Sequence, residues 1–371
     1  MARGRRAGIL IAGGGIAGCL AALAMARHRP EVPLLIVEEG ERFGGDHYFA
    51  AFGAELADDA AALVASLAEQ RWPGFYVAFP GASRKLKGDS LGFSAAALHE
   101  AMVETLDPKQ YRLGTKIVAV REDALVLDGG EELKAEGALD ARGAANLSML
   151  ELLYEARLER EYRTAGPHGV DRPVLVDATV GQSGGLGYVQ VMPLGADRLL
   201  IAEVMVAERG QPDEQAGARL DHYATLRGWS GAKVEAERSL ARPLPMGGDF
   251  AAFWRIGGAR VAKLGLRGGF IHPVTGRTVA DAARLGFFLT RQRDFSGAAL
   301  HDVFEEEARQ QWKTREPLRA ITRQLAETPP EERRSLIERL YRLDPALIGR
   351  FHAGDLGMID RLRVQRALAR D

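Results

Sequence analysis

Three glycines at positions 13, 15 and 18 have the spacing of a turn that holds phosphate. Gly13-Gly14-Gly15-Ile16-Ala17-Gly18 reads G-x-G-x-x-G, between a short apolar run at 7–12 and an alanine-rich, helix-forming segment at 16–27. In that context each glycine has a task. Gly13 permits a tight turn, Gly15 lets the backbone approach a pyrophosphate, and Gly18 lets the helix lie against the strand. The helix N-terminus then offers free N–H groups to the phosphates. A second strand-like run at 32–37 ends on Glu38, about 20 residues on, where an acidic side chain accepts hydrogen bonds from ribose hydroxyls. Strand, turn, helix, strand and acid together predict a Rossmann-type unit for the ADP half of a dinucleotide.

The residues after Glu38 point to FAD rather than NAD. Glu39-Gly40-Glu41-Arg42-Phe43-Gly44-Gly45 places a Gly44-Gly45 turn behind the acid, as in flavoproteins that cover the adenosine with an extra loop. Two later segments are expected beside the flavin. One is Asp140-Ala141-Arg142-Gly143, contributing Arg142 and Gly143. The other runs from Leu264 through Gly268-Gly269 to His272-Pro273 and Gly276, just before an apolar helix. A helix N-terminus there would favour the negative charge that reduction puts on the isoalloxazine.

Other chemistries are poorly served. One cysteine and eight scattered histidines give no zinc spacing, so no metal site is expected. Gly181-Gln182-Ser183-Gly184-Gly185 matches the letters of a serine nucleophile elbow, but its flanks do not give strand, turn and helix. A net charge of -1 gives no global field to recruit nucleic acid. Arg5 and Arg6 ahead of an apolar run resemble an export signal, yet the ordered glycines and the strand that follows argue for a folded unit. Cys19 in an apolar helix fits a reducing compartment, and cytoplasmic is the expected location.

These site residues must be carried by a larger frame. At 371 residues the chain exceeds a single core. The pattern predicts a helix near 95–106, a hairpin over 116–127 and a strand at 137–139. It is strand-rich from 172 to 206, with a turn at 193–197, and mostly helical beyond 276. The expected fold class is α/β: a Rossmann-type FAD-binding domain with a sheet-rich substrate domain inserted and a helical C-terminal region. The expected boundaries are 1–80, 115–160 and 255–295 for the discontinuous FAD-binding domain, 81–114 and 161–254 for the substrate domain, and 296–371 for the helical region.

As a set, the motifs resemble the bacterial lycopene β-cyclase family. Gly44-Gly45-Asp46-His47 stands where that family has Gly-Gly-Asn-His. Trp72-Pro73, Val77 to Pro80 and Arg84-Lys85-Leu86 follow in order. Pro167-His168-Gly169 leads into Pro173 to Gln182, the most specific block, and Met192-Pro193-Leu194 and Leu199-Leu200-Ile201 keep its register. Arg267 to Gly276 resembles R-[AG]-G-x-x-H-P-x-[ST], and Arg350-Phe351-His352-Ala353-Gly354 resembles R-F-Y-A-G. The resemblance implies closure of the ψ ends of lycopene into β-ionone rings. That isomerisation has no net redox change, yet it requires reduced FAD, with NAD(P)H as reductant. It also implies a carotenoid partner and peripheral contact with the inner face of the cytoplasmic membrane. Nine arginines against five acids after position 332, interspersed with Leu336, Ile337, Leu340, Tyr341, Leu347, Ile348 and Phe351, could provide an amphipathic surface or simply a core-facing one.

The chain departs from the family at its acidic motif. Where Glu-Asp-Thr is expected after Ile201, the residues are Ala202, Glu203 and Val204. Glu203 is therefore the candidate catalytic carboxylate only if a bulge turns it inward, because one position along a strand reverses the face. Gly187 stands where arginine is expected, and no acid precedes Leu244-Pro245. Tyr188 and His272 are expected to line the substrate channel. Two alternatives stay open: a hydroxylase-like FAD oxidoreductase, and a non-catalytic homologue that binds carotenoid or flavin.

Overall fold

The computed structural model describes residues 7–369 apart from 57, 145, 146, 183 and 259. Ser183 of the elbow-like string, and Arg5 and Arg6, lie outside the described residues. Among the described residues fifteen strands run in chain order: β1 Ala7–Ala12, β2 Leu34–Val37, β3 Tyr48–Phe52, β4 Gln70–Phe79, β5 Ala82–Ser94, β6 Tyr111–Arg112, β7 Ile117–Arg121, β8 Ala124–Leu127, β9 Glu132–Asp140, β10 Leu150–Arg163, β11 Val174–Asp177, β12 Leu186–Pro193, β13 Arg198–Ala207, β14 Lys233–Gly248 and β15 Ala262–Lys263. They form two sheets.

The first sheet has the order β6-β2-β1-β9-β8-β7, with β15 also on β9. β1 lies parallel between β2 and β9, so Ala12 is paired with Val37 on one side and Asp140 on the other. The three segments expected at the dinucleotide thus end side by side. The helix Ile16–His28 is apolar nearly all round, and a helix of that kind is buried. It packs on the helix Val279–Thr290, where a Cβ on Gly286 would come within 2.8 Å of the Leu20 carbonyl oxygen.

The second sheet has the order β14-β10-β13-β12-β11-β4-β5-β3, antiparallel except at β11–β4. Its membership corrects the expected boundaries. Residues 48–79 were assigned to the dinucleotide half, yet β3 and β4 pair into the second sheet. β10, also placed in the first half up to residue 160, is the second strand from the edge of the second sheet. Long antiparallel strands with polar edges read weakly in sequence, because their apolar residues belong to one face only. Trp72-Pro73-Gly74 lies inside β4 at a register irregularity.

Alternation along β13 separates the two faces of this sheet. Leu199 and Ile201 pack with Leu220 and Tyr223 of the helix Ala216–Leu226. Ala202, Val204 and Val206 share a core with the C-terminal helices. In those helices Leu336, Ile337, Leu340, Tyr341, Leu347, Ile348 and Phe351 are all buried, so this stripe is a core-facing one. Among the described residues no helix is long and apolar enough to cross a membrane.

Candidate functional site

One cavity of about 570 Å³ extends from the glycine turn to the inner face of the second sheet. At its first end the backbone explains each glycine. Gly13 has φ +101°, and a Cβ there would strike the backbone of Ala141 at 2.9 Å. A Cβ on Gly18 would lie 2.0 Å from the Gly13 carbonyl oxygen, so only glycine allows this helix to start here. Gly15 is different: a Cβ there meets nothing within 4 Å, and the space it faces is the cavity. Glu38 is fixed by N–H donation from Gly14 at 2.5 Å and Gly40 at 2.8 Å. Open space over Gly15, beside a helix N-terminus and an oriented carboxylate, fits an ADP group.

Gly13, Gly15, Glu38, Gly44, Gly45, Arg142, Gly143 and Gly276 all line this cavity. Arg142 is held by a two-pronged pair with Asp140 at 2.9 Å and by donation to the Ile117 carbonyl at 3.0 Å. Burial works to raise the Asp140 pKa, but Arg142 and Arg267 outweigh it and keep the carboxyl below its ordinary range. Three expected residues are elsewhere. Gly18 serves helix packing, as expected of the third glycine, and is not in the wall. Gly268 and Gly269 lie behind it: the Gly268 carbonyl accepts from the Trp254 indole at 3.1 Å, and Gly265 and Leu266 take the lining positions.

His272 is also not in the wall. Its ring is buried, with Nε2 2.9 Å from the Phe351 carbonyl oxygen and Nδ1 accepting from the Val274 and Thr275 N–H groups. Those contacts require the neutral ring with its proton on Nε2. Burial, reinforced by Arg315 and Arg277, pushes its pKa down to about 3. The residue ties its own turn to the C-terminal helices. A parallel tie joins Arg277 Nη2 to His352 Nδ1 at 2.5 Å.

Glu203 fails to reach the cavity for the reason alternation gives. β13 pairs without interruption with both β10 and β12 from 199 to 206, so the bulge that would turn Glu203 inward is not formed. Its carboxylate faces the opposite side of the sheet and is paired with Arg219. Ala202 lies on the same face of β13 as Leu200 and Val206, which line the cavity, and packs with Tyr188 and Val204.

What occupies that face instead is a buried polar group that sequence reasoning missed. Glu155, Arg157 and Glu159 alternate along β10 and all line the cavity. Arg157 donates to Glu159 Oε1 at 3.0 Å, to Glu155 Oε2 at 3.2 Å and to Gln190 Oε1 at 2.7 Å. Tyr188 lines the cavity and donates its hydroxyl to Glu155 Oε1 at 2.7 Å. Across the strands, Glu159 is the register partner of Ala202, which is in turn paired with Gln190. A carboxylate thus stands one strand away from the position that lacks one. The available signal was Glu155-Ala156-Arg157-Leu158-Glu159, charge alternating with apolar residue, which on a strand puts three charges on one face.

The two carboxylates differ in their neighbours. Glu159 accepts from Arg157 and from Arg238 Nε at 3.1 Å. Burial acts to raise its pKa, but Arg157, Arg242 and Arg238 together hold it below the ordinary range. Glu155 accepts from the Tyr188 phenol at 2.7 Å and from Arg157 at 3.2 Å, with Arg242 3.9 Å away. Burial keeps the Tyr188 hydroxyl protonated, raised well above its ordinary value.

Comparison with known proteins decides the kinship. A profile of the lycopene cyclase protein family matches residues 8–368. The chain belongs to the lycopene cyclase family. Among its relatives, a lycopene beta-cyclase from Pseudescherichia vulneris is 31% identical over 96% of this chain and 92% of its own length. One from Paracoccus sp. (strain N81106 / MBIC 01143) is 32% identical over 96% and 92%. Solved structures share the fold at lower identity. A geranylgeranyl bacteriochlorophyll reductase-like protein from Thermoplasma acidophilum has a TM-score of 0.65 at 13% identity, over 96% of this chain and 95% of that one. A flavin-dependent brominase reaches 0.61 at 15% identity, over 98% of both chains. This family member therefore has the fold of flavin-dependent enzymes, with mixed α/β sheets and a helical C-terminal region.

Proposed function

We propose that the protein is an FAD-dependent carotenoid cyclase that closes the ψ end of lycopene, or of a related carotenoid, into a β ring. The observation that carries this reading is the single cavity joining the open glycine turn to a carboxyl-bearing sheet face, in a member of the lycopene cyclase family. Gly13, Gly15, Glu38, Gly44, Gly45, Arg142, Gly143 and Gly276 would hold the FAD. When bound and reduced, with NAD(P)H as reductant, it would supply negative charge that favours the cation formed during ring closure.

The chain's own residues handle the proton. Glu155 delivers it to C2 of the ψ end; the C5–C6 π pair then forms the C1–C6 bond, and the resulting cation loses its C6 proton to the same carboxylate. Atoms and electrons balance with no net oxidation. Tyr188 fixes the orientation of Glu155, and Glu159 stays ionised as a second negative charge beside the cation. Leu175, Leu325, Ile337 and Leu340 provide apolar wall for the polyene and exclude water.

Membrane contact is part of this reading, since the substrate is a hydrocarbon. On the helix Met358–Leu368, Met358 is 80% exposed, Ile359 67% and Leu362 51%, interleaved with Arg361, Arg363 and Arg366. Apolar residues beside cations fit an anionic bilayer surface.

The test is anaerobic incubation of the FAD-loaded, reduced protein with lycopene, read by chromatography. Cyclised product without stoichiometric NAD(P)H consumption supports the cyclase. Oxygenated product, formed only with coupled oxygen uptake, replaces it with the oxidoreductase reading, and binding without conversion replaces it with the carrier.

A further inference from the structure

The reading above calls on reduced FAD for a reaction with no net oxidation, and one residue links the cofactor wall to the carboxyl that moves the proton. Arg242, on β14, is the register partner of Glu155 and lines the same cavity. Its guanidinium makes no hydrogen bond among the described residues. It stands 3.9 Å from Glu155 Oε2 and 3.8 Å from Glu159 Oε1, close enough for charge but beyond donor reach. Arg242 also borders the cofactor wall, since a Cβ on Gly276 would lie 3.2 Å from the Arg242 Cβ and 3.4 Å from its Cδ. That wall offers further donors. The Thr275 hydroxyl is buried without a hydrogen-bond partner among the described residues, and the helix Val279–Thr290 begins at Thr278 with no side-chain cap. Thr275, Thr278 and Val279 line the cavity beside Gly276. With the ADP half at the Gly13 to Gly15 turn, these groups are left for the far end of the dinucleotide, where the flavin ring carries acceptors and reduction adds negative charge.

Charge balance connects the two ends. Burial and the neighbouring Arg157 lower the Arg242 pKa against the pull of Glu155 and Glu159, so the guanidinium depends on its anionic neighbours. An anion arriving from the cofactor side takes over part of that cation, and two anions about one guanidinium repel each other in a water-poor wall. A proton on Glu155 relieves the repulsion. The other groups facing this pair do not supply the relief. Arg157, Arg242 and Arg238 hold Glu159 ionised, burial keeps Tyr188 and Tyr341 protonated, and burial together with Arg242 keeps His47 neutral. We propose that Arg242 is a counter-ion shared between Glu155 and FAD, so that reducing the flavin loads Glu155 with the proton it delivers to the substrate. Hydride from NAD(P)H converts the neutral flavin into the reduced anion, oxidised nicotinamide leaves, and solvent supplies the proton that Glu155 takes up. The hydrocarbon end group then meets a neutral carboxyl. This rests on the reading above in that FAD binds here and Glu155 is the acid.

The experiment follows the FAD-loaded protein by infrared difference spectroscopy during anaerobic electrochemical reduction, without substrate. Reduction of the wild type should bring up the C=O stretch of a protonated carboxyl, together with uptake of a second proton beside that of the flavin. Glu155→Gln should lose both the band and the second proton. Arg242→Met should show no redox-dependent carboxyl band at equal FAD content, and Arg242→Lys should retain it. Glu55, buried and paired with Arg277 near the same wall, is the competing carboxyl. Loss of the band in Glu55→Gln but not in Glu155→Gln overturns the inference, as does a wild type without the band, or a band that survives unchanged in Arg242→Met. Conversion of lycopene is scored separately. Cyclisation without proton uptake by Glu155 removes the coupling and leaves the cyclase reading, whereas the band without cyclisation keeps the coupling and removes the cyclase. A chain that cannot be loaded with FAD removes both.

Discussion

Replacing Glu155 by glutamine isolates the proton from the architecture around it. The amide oxygen keeps an acceptor for the Tyr188 hydroxyl at 2.7 Å, its NH2 takes the place of the oxygen that accepts from Arg157 at 3.2 Å, and Arg157 keeps its bonds to Glu159 and Gln190. The charge, the exchangeable proton and that one longer contact are removed. A hydrogen bond to a charged partner contributes ~1.5–3 kcal/mol against ~0.5–1.5 kcal/mol for a neutral one, so the folding cost should be about 1 kcal/mol. In a chain of this size that is a fall in Tm of no more than about 2–4 °C. Cyclisation should fall far more, by ~10²–10⁴-fold, the usual range for general acid-base groups. Glu203→Gln is the matched control, because it removes a carboxylate of the same strand system from the opposite face of the sheet. Its pair with the part-exposed Arg219 contributes about 0–1 kcal/mol, and its rate should equal that of the wild type. Both variants would be assayed for cyclised carotenoid per FAD-bearing chain. Wild-type turnover by Glu155→Gln at full FAD content would refute the assignment, and a large loss in Glu203→Gln would show that the face of the sheet had been misjudged.

Three further outcomes are expected. Gly15→Val fills the open space over the phosphate turn, so the folded protein should lose FAD on gel filtration while its melting cooperativity is retained. His272 is neutral in the fold with a pKa of about 3, whereas the unfolded chain binds its proton below ~6.5. Stability is thus fully present above ~6.5 and declines as pH falls from there toward 3; His272→Gln should flatten that limb in denaturant titrations taken at stepped pH. Met358→Ser combined with Ile359→Ser and Leu362→Ser should abolish co-sedimentation with phosphatidylglycerol vesicles, and undiminished co-sedimentation would remove that helix as the contact.

The dinucleotide turn was legible because its constraints are local. Gly13, Gly18 and Glu38 are dictated by one strand, one helix and the strand beside it, all within 32 positions. Family resemblance drew attention to Tyr188, which lines the cavity, and to Ala202, which shares a core with the C-terminal helices. The polar face could not be read in the same way. Glu155, Tyr188 and Arg242 meet only because β10 pairs with β14, while β13 separates it from β12, and no short-range pattern encodes that order. Gly268-Gly269 and His272 looked like a lining turn because they sit in a recognisable motif. Gly268 and Gly269 are backed by Phe250, Phe253 and Trp254 upstream, and His272 by a helix nearly 80 positions later, none of which the motif contains. The exposed turn at Met358 and Ile359 was equally hidden, since its residues resemble the buried stripe preceding it until the packing is known.

The hydrogen bonds from His272 to the Phe351 carbonyl, and between Arg277 and His352, bind two segments that are nearly 80 positions apart. The His-Pro turn and the Arg-Phe-His-Ala-Gly string are thus one structural part written in two places. A chimaera that takes its C-terminal helices from a relative with tyrosine at position 352 would present Arg277 with a phenol in place of a ring nitrogen. The Gly276 side of the cofactor pocket would register that mismatch although the graft begins far from it. Exchange of helices within the family should therefore succeed when residues 272–277 travel with the donor's 350–354 block, and should cost cofactor retention when they do not.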